Sequence, residues 1–312
     1  MKSAQQRIAT LAASAVLASL AIPCYSAFAA DGECVIAGKQ VDAVASLGAM
    51  APDSIRSTGQ LTIATAGDGP PYTYNDDSGK LVGLEIDLGR AIGCTLGLKT
   101  EFKTVSFSGI LTGIQGGRYN MGMSTISDTS EREKVMNFVS YQTEGTALIV
   151  AKGNPHNVKS IADACGLGVA VTQGSITQDL VTKQNALCSS KMKITPLPAA
   201  ADGYLAIRSG RADVFLDTFG TAVYTSKTGI GTGNGLEVVP SKRYGIGYQA
   251  VALPKTDDGT NLTNAVAEAI NHLIETGVYH ALYAQRGLTQ NELPTVAIND
   301  AAKYNNAFLD LN

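Results

Sequence analysis

Histidine is scarce in this chain: the 312 residues hold three, His156, His272 and His280, far apart in sequence. That dispersion excludes a local histidine-based metal motif, and no CxxC pair supplies a sulfur equivalent. No GxSxG stretch occurs, so the nucleophile elbow of serine hydrolases is missing too. Charged residues make up 16% of the chain and the formal net charge is −3, which leaves no basic footprint for nucleic acid. Long apolar runs are also lacking. The longest uncharged one, Ile8 to Ile22, falls short of the roughly 20 residues that span a bilayer, and no later segment exceeds it.

What is present begins with that run. Lys2 and Arg7 precede it and Ala27-Phe28-Ala29 follows as a small-x-small cleavage site, so residues 1–29 read as a secretory signal peptide cleaved near Ala29. The mature chain is then expected to be soluble and exported. Cys24 raises the alternative of a lipid anchor, against which Pro23 stands where such a site takes a small residue. Past the leader, Cys34, Cys94, Cys165 and Cys188 form an even set in an oxidising compartment, and three pairings are open. The preferred one joins Cys165 to Cys188. That loop of a couple of dozen residues contributes about 3 kcal/mol in the chain-entropy model and leaves Cys34 to tether the N-terminal segment to Cys94.

Strand and helix signals alternate from about Leu61 onward, which predicts an α/β protein large enough for two lobes. Leu61 to Ala64 is β-prone, Pro70-Pro71 breaks it, and Gly83 to Leu88 leads into a helix with Leu84, Leu88, Ala91 and Ile92 at helical spacing. Two stretches echo each other, LTGIQGGRYNMGMSTIS (111–127) and LAIRSGRADVFLDTFG (205–220). Each reads as a helix closed by glycine, an arginine, an apolar strand and a polar loop. Loops at the carboxyl ends of strands are where open α/β sheets bind ligands, and a cleft between two such lobes would collect both. Residues 261–288 predict an amphipathic helix, with Val266, Ala269, Ile270, Leu273 and Ile274 on one face, then a short helix around Tyr279 to Tyr283. Residues 31–58 show no clear period.

The run MSTISDTSERE (123–133) places Ser124, Thr125, Ser127, Thr129 and Ser130 just before Arg132. One account is local: Asp128 with Glu131, or Ser130 with Glu133, is a capping box for a helix continuing through Val135 and Met136. The other is functional, and compatible with it. A helix start offers unpaired N–H groups, and the planar guanidinium of Arg132 donates two parallel hydrogen bonds to a carboxylate. In TQGSITQDL (172–180), Ser175 sits at a second strand-to-helix turn and would add a hydroxyl near the same anion. Asp217, closing the apolar run Val214 to Leu216, is the natural counter-ion for an ammonium group, although an Asp after a strand is commonly a turn residue.

The segments GQLTIATAGDGPPYTYNDDSGKLVGLEIDLGRAI, FSGILTGIQGGRYNMGMSTISDTSEREKVMNFVSY, CGLGVAVTQGSITQDL and GYLAIRSGRADVFLD together resemble the exported amino-acid-binding proteins of ABC importers, solute-binding protein family 3. The likeness spans about Gly59 to Leu288 in the family's own order. It implies a two-lobed type II periplasmic-binding-protein fold with two crossover strands, residues 31–147 plus 248–312 forming lobe 1 and 148–247 lobe 2. By the same resemblance, Arg132 grips the α-carboxylate of an amino acid with Ser124, Thr125, Ser127 and Ser175, Asp217 takes the α-ammonium, and Phe107 packs over the ligand. Phe107 alone would read as core. Gly69 stands where relatives often carry an aromatic, so the usual two-ring sandwich is not expected, and Asp68 beside it is expected to meet a polar or cationic ligand group. Asp128 replaces a residue that is usually apolar or Thr. Glu85 and Asp87 match an acidic pattern of the family that starting their helix explains adequately. The resemblance implies no cofactor, no catalysis, a monomer, and the importer's membrane subunits as partner. The rival is a secreted dehydratase of the cyclohexadienyl or arogenate type built on the same fold, with Asp68 or Glu85 as general acid; a free-standing sensor differs only in partner.

Overall fold

The computed structural model describes residues 34–228, 235–239 and 243–304. The leader at residues 1–29, its cleavage near Ala29 and the anchor alternative at Cys24 lie outside the described residues.

The chain opens with β1 (Val35–Ile36), β2 (Lys39–Gln40) and two single-turn helices, α1 (Ala45–Gly48) and α2 (Asp53–Arg56). There follow β3 (Gln60–Thr65), a small sheet of β4 (Asp68–Gly69), β5 (Thr73–Asn75) and β6 (Leu81–Val82), then α3 (Leu84–Leu96) and β7 (Lys99–Thr104). Next come α4 (Phe107–Gln115), β8 (Met121–Gly122) and α5 (Ser130–Glu133). A long strand, β9 (Met136–Ala151), carries the chain into β10 (Gly168–Thr172), α6 (Ile176–Leu187), β11 (Lys193–Leu197) and α7 (Ala200–Arg208). After β12 (Val214–Thr218), α8 (Phe219–Thr228) and β13 (Leu236–Val238), a second long strand, β14 (Tyr244–Pro254), returns it to α9 (Asp257–Glu275) and α10 (Val278–Ala284).

Eight strands run in the order β11-β10-β12-β9-β14-β8-β3-β7, and β13 pairs with β9. The flanks are parallel, β10 with β11 and β12, and β3 with β7 and β8. The middle is antiparallel, where β9 pairs with both β12 and β14. Parallel strands covered on both faces require near-continuous apolar runs, which is why VAV (169–171) and VFL (214–216) lack alternation. The fold is thus a two-lobed α/β architecture joined by two shared strands.

The cores divide along those strands. Val139 and Tyr141 of β9, with Val251 and Leu253 of β14, pack with α3, α9 and α10. Further along, Leu148 and Val150 of β9 and Tyr244 of β14 belong to a separate cluster with Val169, Val171, Leu180 and Val214. Between the two lies a polar interval, Gln142 to Thr146 on β9.

Local chemistry explains the principal helices. Gly83 precedes α3 at φ 133°, where a Cβ would lie 2.2 Å from the Tyr72 carbonyl oxygen, so glycine alone fits. The two echoing segments end their helices identically: Gly117 and Gly210 take φ 67° and 66°, and the N–H of the next residue, Arg118 or Arg211, donates at 2.8 Å to the carbonyl of Gly113 or Ala206. This is the Schellman closure, repeated in each lobe. The stripe expected on α9 is buried at Val266, Ala269, Ile270 and Leu273, and Ile274 packs against it half-buried.

The cysteines pair Cys34–Cys94 and Cys165–Cys188, with sequence separations of 60 and 23. The segment without a clear period forms the β1–β2 hairpin and α1–α2, docked through Ile36, Val41 and Ile55. One expectation is corrected. No helix continues through Val135 and Met136: α5 is a single turn, and the chain enters β9 at Met136 because Met136 to Ser140 pair residue by residue with Pro254 to Ala250 of β14. Its cap is Thr129, whose hydroxyl accepts from the Arg132 N–H at 3.3 Å, and neither Asp128 nor Ser130 is the capping residue. Asp128 is instead buried against Glu133.

Candidate ligand-binding site

The loops following β8 and β10 and the end of β12 converge on one pocket, completed by β4, β5, β9, β14 and the first residues of α4, α6, α7 and α8. It holds about 640 Å³ of space between atoms, its open mouth included. Seven of the eight predicted residues line it: Asp68, Phe107, Ser124, Thr125, Ser127, Ser175 and Asp217. Arg132 does not line it but stands immediately behind. Its Nη1 donates to the Ser127 carbonyl at 2.9 Å, and its Nη2 reaches the opposite lobe, donating to the Gly174 carbonyl at 3.1 Å. The guanidinium carbon lies 5.9 Å from the centre of the Phe107 ring. Burial lowers its pKa to about 10, against the pull of Asp179 and Asp128, so it remains charged at neutral pH.

The hydroxyls are held by the backbone around them. Ser124 Oγ accepts from the Ala66 N–H at 3.1 Å. Ser127 bridges antiparallel to Gln249 of β14. Ser175 caps α6, accepting from Gln178 N–H at 3.3 Å and donating to the Thr172 carbonyl at 2.6 Å. Phe107 begins α4, behind the Ser106 cap, and is half-buried.

Asp217 faces the pocket from the end of β12. It accepts from the Tyr204 hydroxyl at 2.8 Å and the Thr218 N–H at 2.7 Å. Burial pushes its pKa up to about 7; the hydrogen bonds oppose this, and Asp68 and Glu144 add to it. None of the described ion pairs gives it a cationic partner. Asp68, on β4, also lines the pocket, but its Oδ2 accepts from the Ala200 N–H of α7 at 2.6 Å, and burial raises its pKa.

Two features escaped sequence reasoning. The first is Glu85. It is fully buried, and its Oε1 accepts from the Thr125 N–H at 2.6 Å and from the Tyr141 hydroxyl. Thr125 sits at φ 48°, an uncommon conformation for a β-branched residue, which this bond helps to hold. Burial pushes the Glu85 pKa up to about 7 despite both bonds. Starting its helix therefore does not account for it, and its spacing on the Leu88–Ile92 face of α3 is the sequence signal. The second is a ring of further polar groups, Thr73, Thr146, Thr177, Thr218, Thr221 and Gln249, brought in from six elements. No local motif marks them.

Two lobes sharing two strands around a polar pocket define the class of two-lobed solute-binding folds. The chain belongs to the bacterial extracellular solute-binding proteins, family 3, whose model matches residues 61–287. It is similar to the arginine-binding protein ArgT of Corynebacterium glutamicum, 29% identical over 264 residues, covering 83% of this chain and 84% of that one. Among solved structures it resembles an ancestral arginine-binding protein bound to glutamine, with a TM-score of 0.66 and 30% identity over 73% of this chain and 97% of that one. It also resembles the ancestral amino-acid-binding protein AncCDT-1, a precursor of cyclohexadienyl dehydratase, with a TM-score of 0.66, 28% identity, and coverage of 75% and 97%.

Proposed function

We propose that this protein captures an α-amino acid between its lobes, residues 31–147 plus 248–312 and residues 148–247, and delivers it to an ABC importer. The observation that carries the reading is the opposition of charges across one pocket: Asp217, with no cationic partner among the described ion pairs, on one wall, and Arg132 behind the serine-rich wall. An ammonium ion restores Asp217 to its ionised form. A carboxylate takes Arg132 away from the two carbonyls it now holds. Hydrogen bonds to charged groups contribute about 1.5 to 3 kcal/mol each, so a few at the head group supply the roughly 8 kcal/mol of micromolar affinity after closure costs.

The remaining lining of threonines, Gln249 and a single ring suits a polar or basic side chain. The names of the relatives, arginine-binding in two cases and one of them holding glutamine, point the same way. The chain is exported as a monomer after loss of a leader ending near Ala29. It performs no catalysis: the two acids that a dehydratase would call on are committed, Glu85 to the Thr125 N–H and Asp68 to α7. Arg132→Ala should abolish binding of arginine and glutamine in calorimetry while the far-ultraviolet spectrum is unchanged; retained affinity removes Arg132 from the site. Incubation with arogenate or prephenate should yield no aromatic product.

A further inference from the structure

Asp68 and α7 belong to different lobes, yet they are bonded. Helix α7 starts after Ala199, whose methyl group cannot accept a hydrogen bond, and no side chain of its own segment caps it. The first N–H groups of any helix lack intrahelical partners and carry the positive end of its dipole. Here the carboxylate of Asp68 crosses from β4 to meet them, with Ala200 N–H at 2.6 Å and Ala201 N–H alongside. Its neighbour Gly69 faces α8, where a Cβ would make an ordinary contact of 3.7 Å with the Thr221 hydroxyl. The same seam continues at Tyr74 of β5, whose ring lies 6.3 Å from that of Tyr224 on α8. The small sheet β4–β6 is therefore where one lobe rests on two helices of the other.

We infer that Asp68 is an interlobe cap for α7 and sets amino-acid affinity by holding the lobes together over the pocket, not by touching the ligand's side chain. The inference rests on the amino-acid-binding reading above and makes Asp68 a positioning residue. A carboxylate that recognised a ligand cation would favour arginine over glutamine. One spent on backbone N–H groups favours neither.

The two roles separate by substitution. Asp68→Ala removes the cap and should weaken arginine and glutamine by the same factor, about 2- to 30-fold, the range set by losing a helix N-cap. Asp68→Asn keeps a capping oxygen nearly as good as the carboxylate and should restore both affinities. Calorimetric loss of arginine alone in Asp68→Asn, or unchanged affinities in Asp68→Ala, overturns the inference. X-ray scattering of the ligand-free proteins provides a readout independent of ligand identity. The radius of gyration should rise in Asp68→Ala and match wild type in Asp68→Asn; equal radii in all three overturn it. If the wild type binds neither amino acid, the proposed function fails while the scattering comparison still decides the role of Asp68.

Discussion

Ligand capture should release a proton. Asp217 has a pKa of about 7 in the empty pocket because burial penalises its charge and nearby Asp68 and Glu144 add to the penalty. A bound ammonium supplies the missing counter-charge and returns the group toward the ordinary carboxylate range. At pH 6 about nine-tenths of the empty protein carries this proton, so binding should release close to one proton there and almost none at pH 8. Below pH 6 each further pH unit then weakens affinity about tenfold. From pH 8 to pH 5 the loss is about 90-fold, or roughly 2.7 kcal/mol. The sign for the empty protein is opposite: a raised acid pKa means that folding grows less favourable as pH rises from the usual carboxylate range to 7. The gain in melting temperature on adding ligand should accordingly be larger at pH 8 than at pH 5. Calorimetry in buffers of different ionisation enthalpy counts the proton directly. Glu85 also has a raised pKa, but its carboxylate is held by the protein's own Thr125 N–H and Tyr141 hydroxyl and does not line the pocket, so its contribution is expected to cancel. Flat affinity between pH 5 and 8, with no proton released at pH 6, would refute the pairing of Asp217 with an ammonium.

Glu85→Ala should weaken ligand binding by about 1 to 3 kcal/mol through the orphaned Thr125 N–H, and Glu85→Gln, which keeps an acceptor, by less; equal calorimetric affinities for wild type and Glu85→Ala would show that the loop holds itself. Asp128, pushed up to about 8 by burial and by Glu133 beside it, disfavours the folded state increasingly as pH rises from about 4 to 8. Asp128→Asn should therefore melt higher than wild type at pH 9 and lose that advantage near pH 4 in thermal scans, and an advantage independent of pH would count against the assignment. Replacing Cys165 and Cys188 together by Ala should lower stability by about 3 kcal/mol in denaturant titrations, from the loop that their bond closes.

Elements whose pattern is local could be read directly from the chain. The α9 stripe, the β-prone runs of β3, β10 and β12, and the glycine closures of α4 and α7 each follow from side-chain periodicity or from a single residue's φ. What failed was decided at a distance. SERE continues into MNFV without a breaker, and only pairing with β14, more than a hundred residues on, turns that segment from helix into strand. Site residues followed the same division. The serines and Asp217 mark strand ends and stand out, and the resemblance supplied their roles. The bond from Asp68 to α7 joins residues 132 apart, and the Glu85 carboxylate looks like any first-turn acid until Thr125, 40 residues later, is seen to donate to it.

Strands β9 and β14 each carry one surplus residue relative to the other, with register shifts between Tyr244 and Gly247 and again between Gln249 and Ala250. Such irregularities bend a sheet and raise its local twist at the smallest loss of pairing. Since the ladder otherwise runs unbroken from one lobe into the other, these two shifts mark where the ribbon joining the lobes is least regularly paired. Gln249 belongs both to that stretch and to the pocket lining, so the irregular part of the ribbon also forms one wall of the pocket.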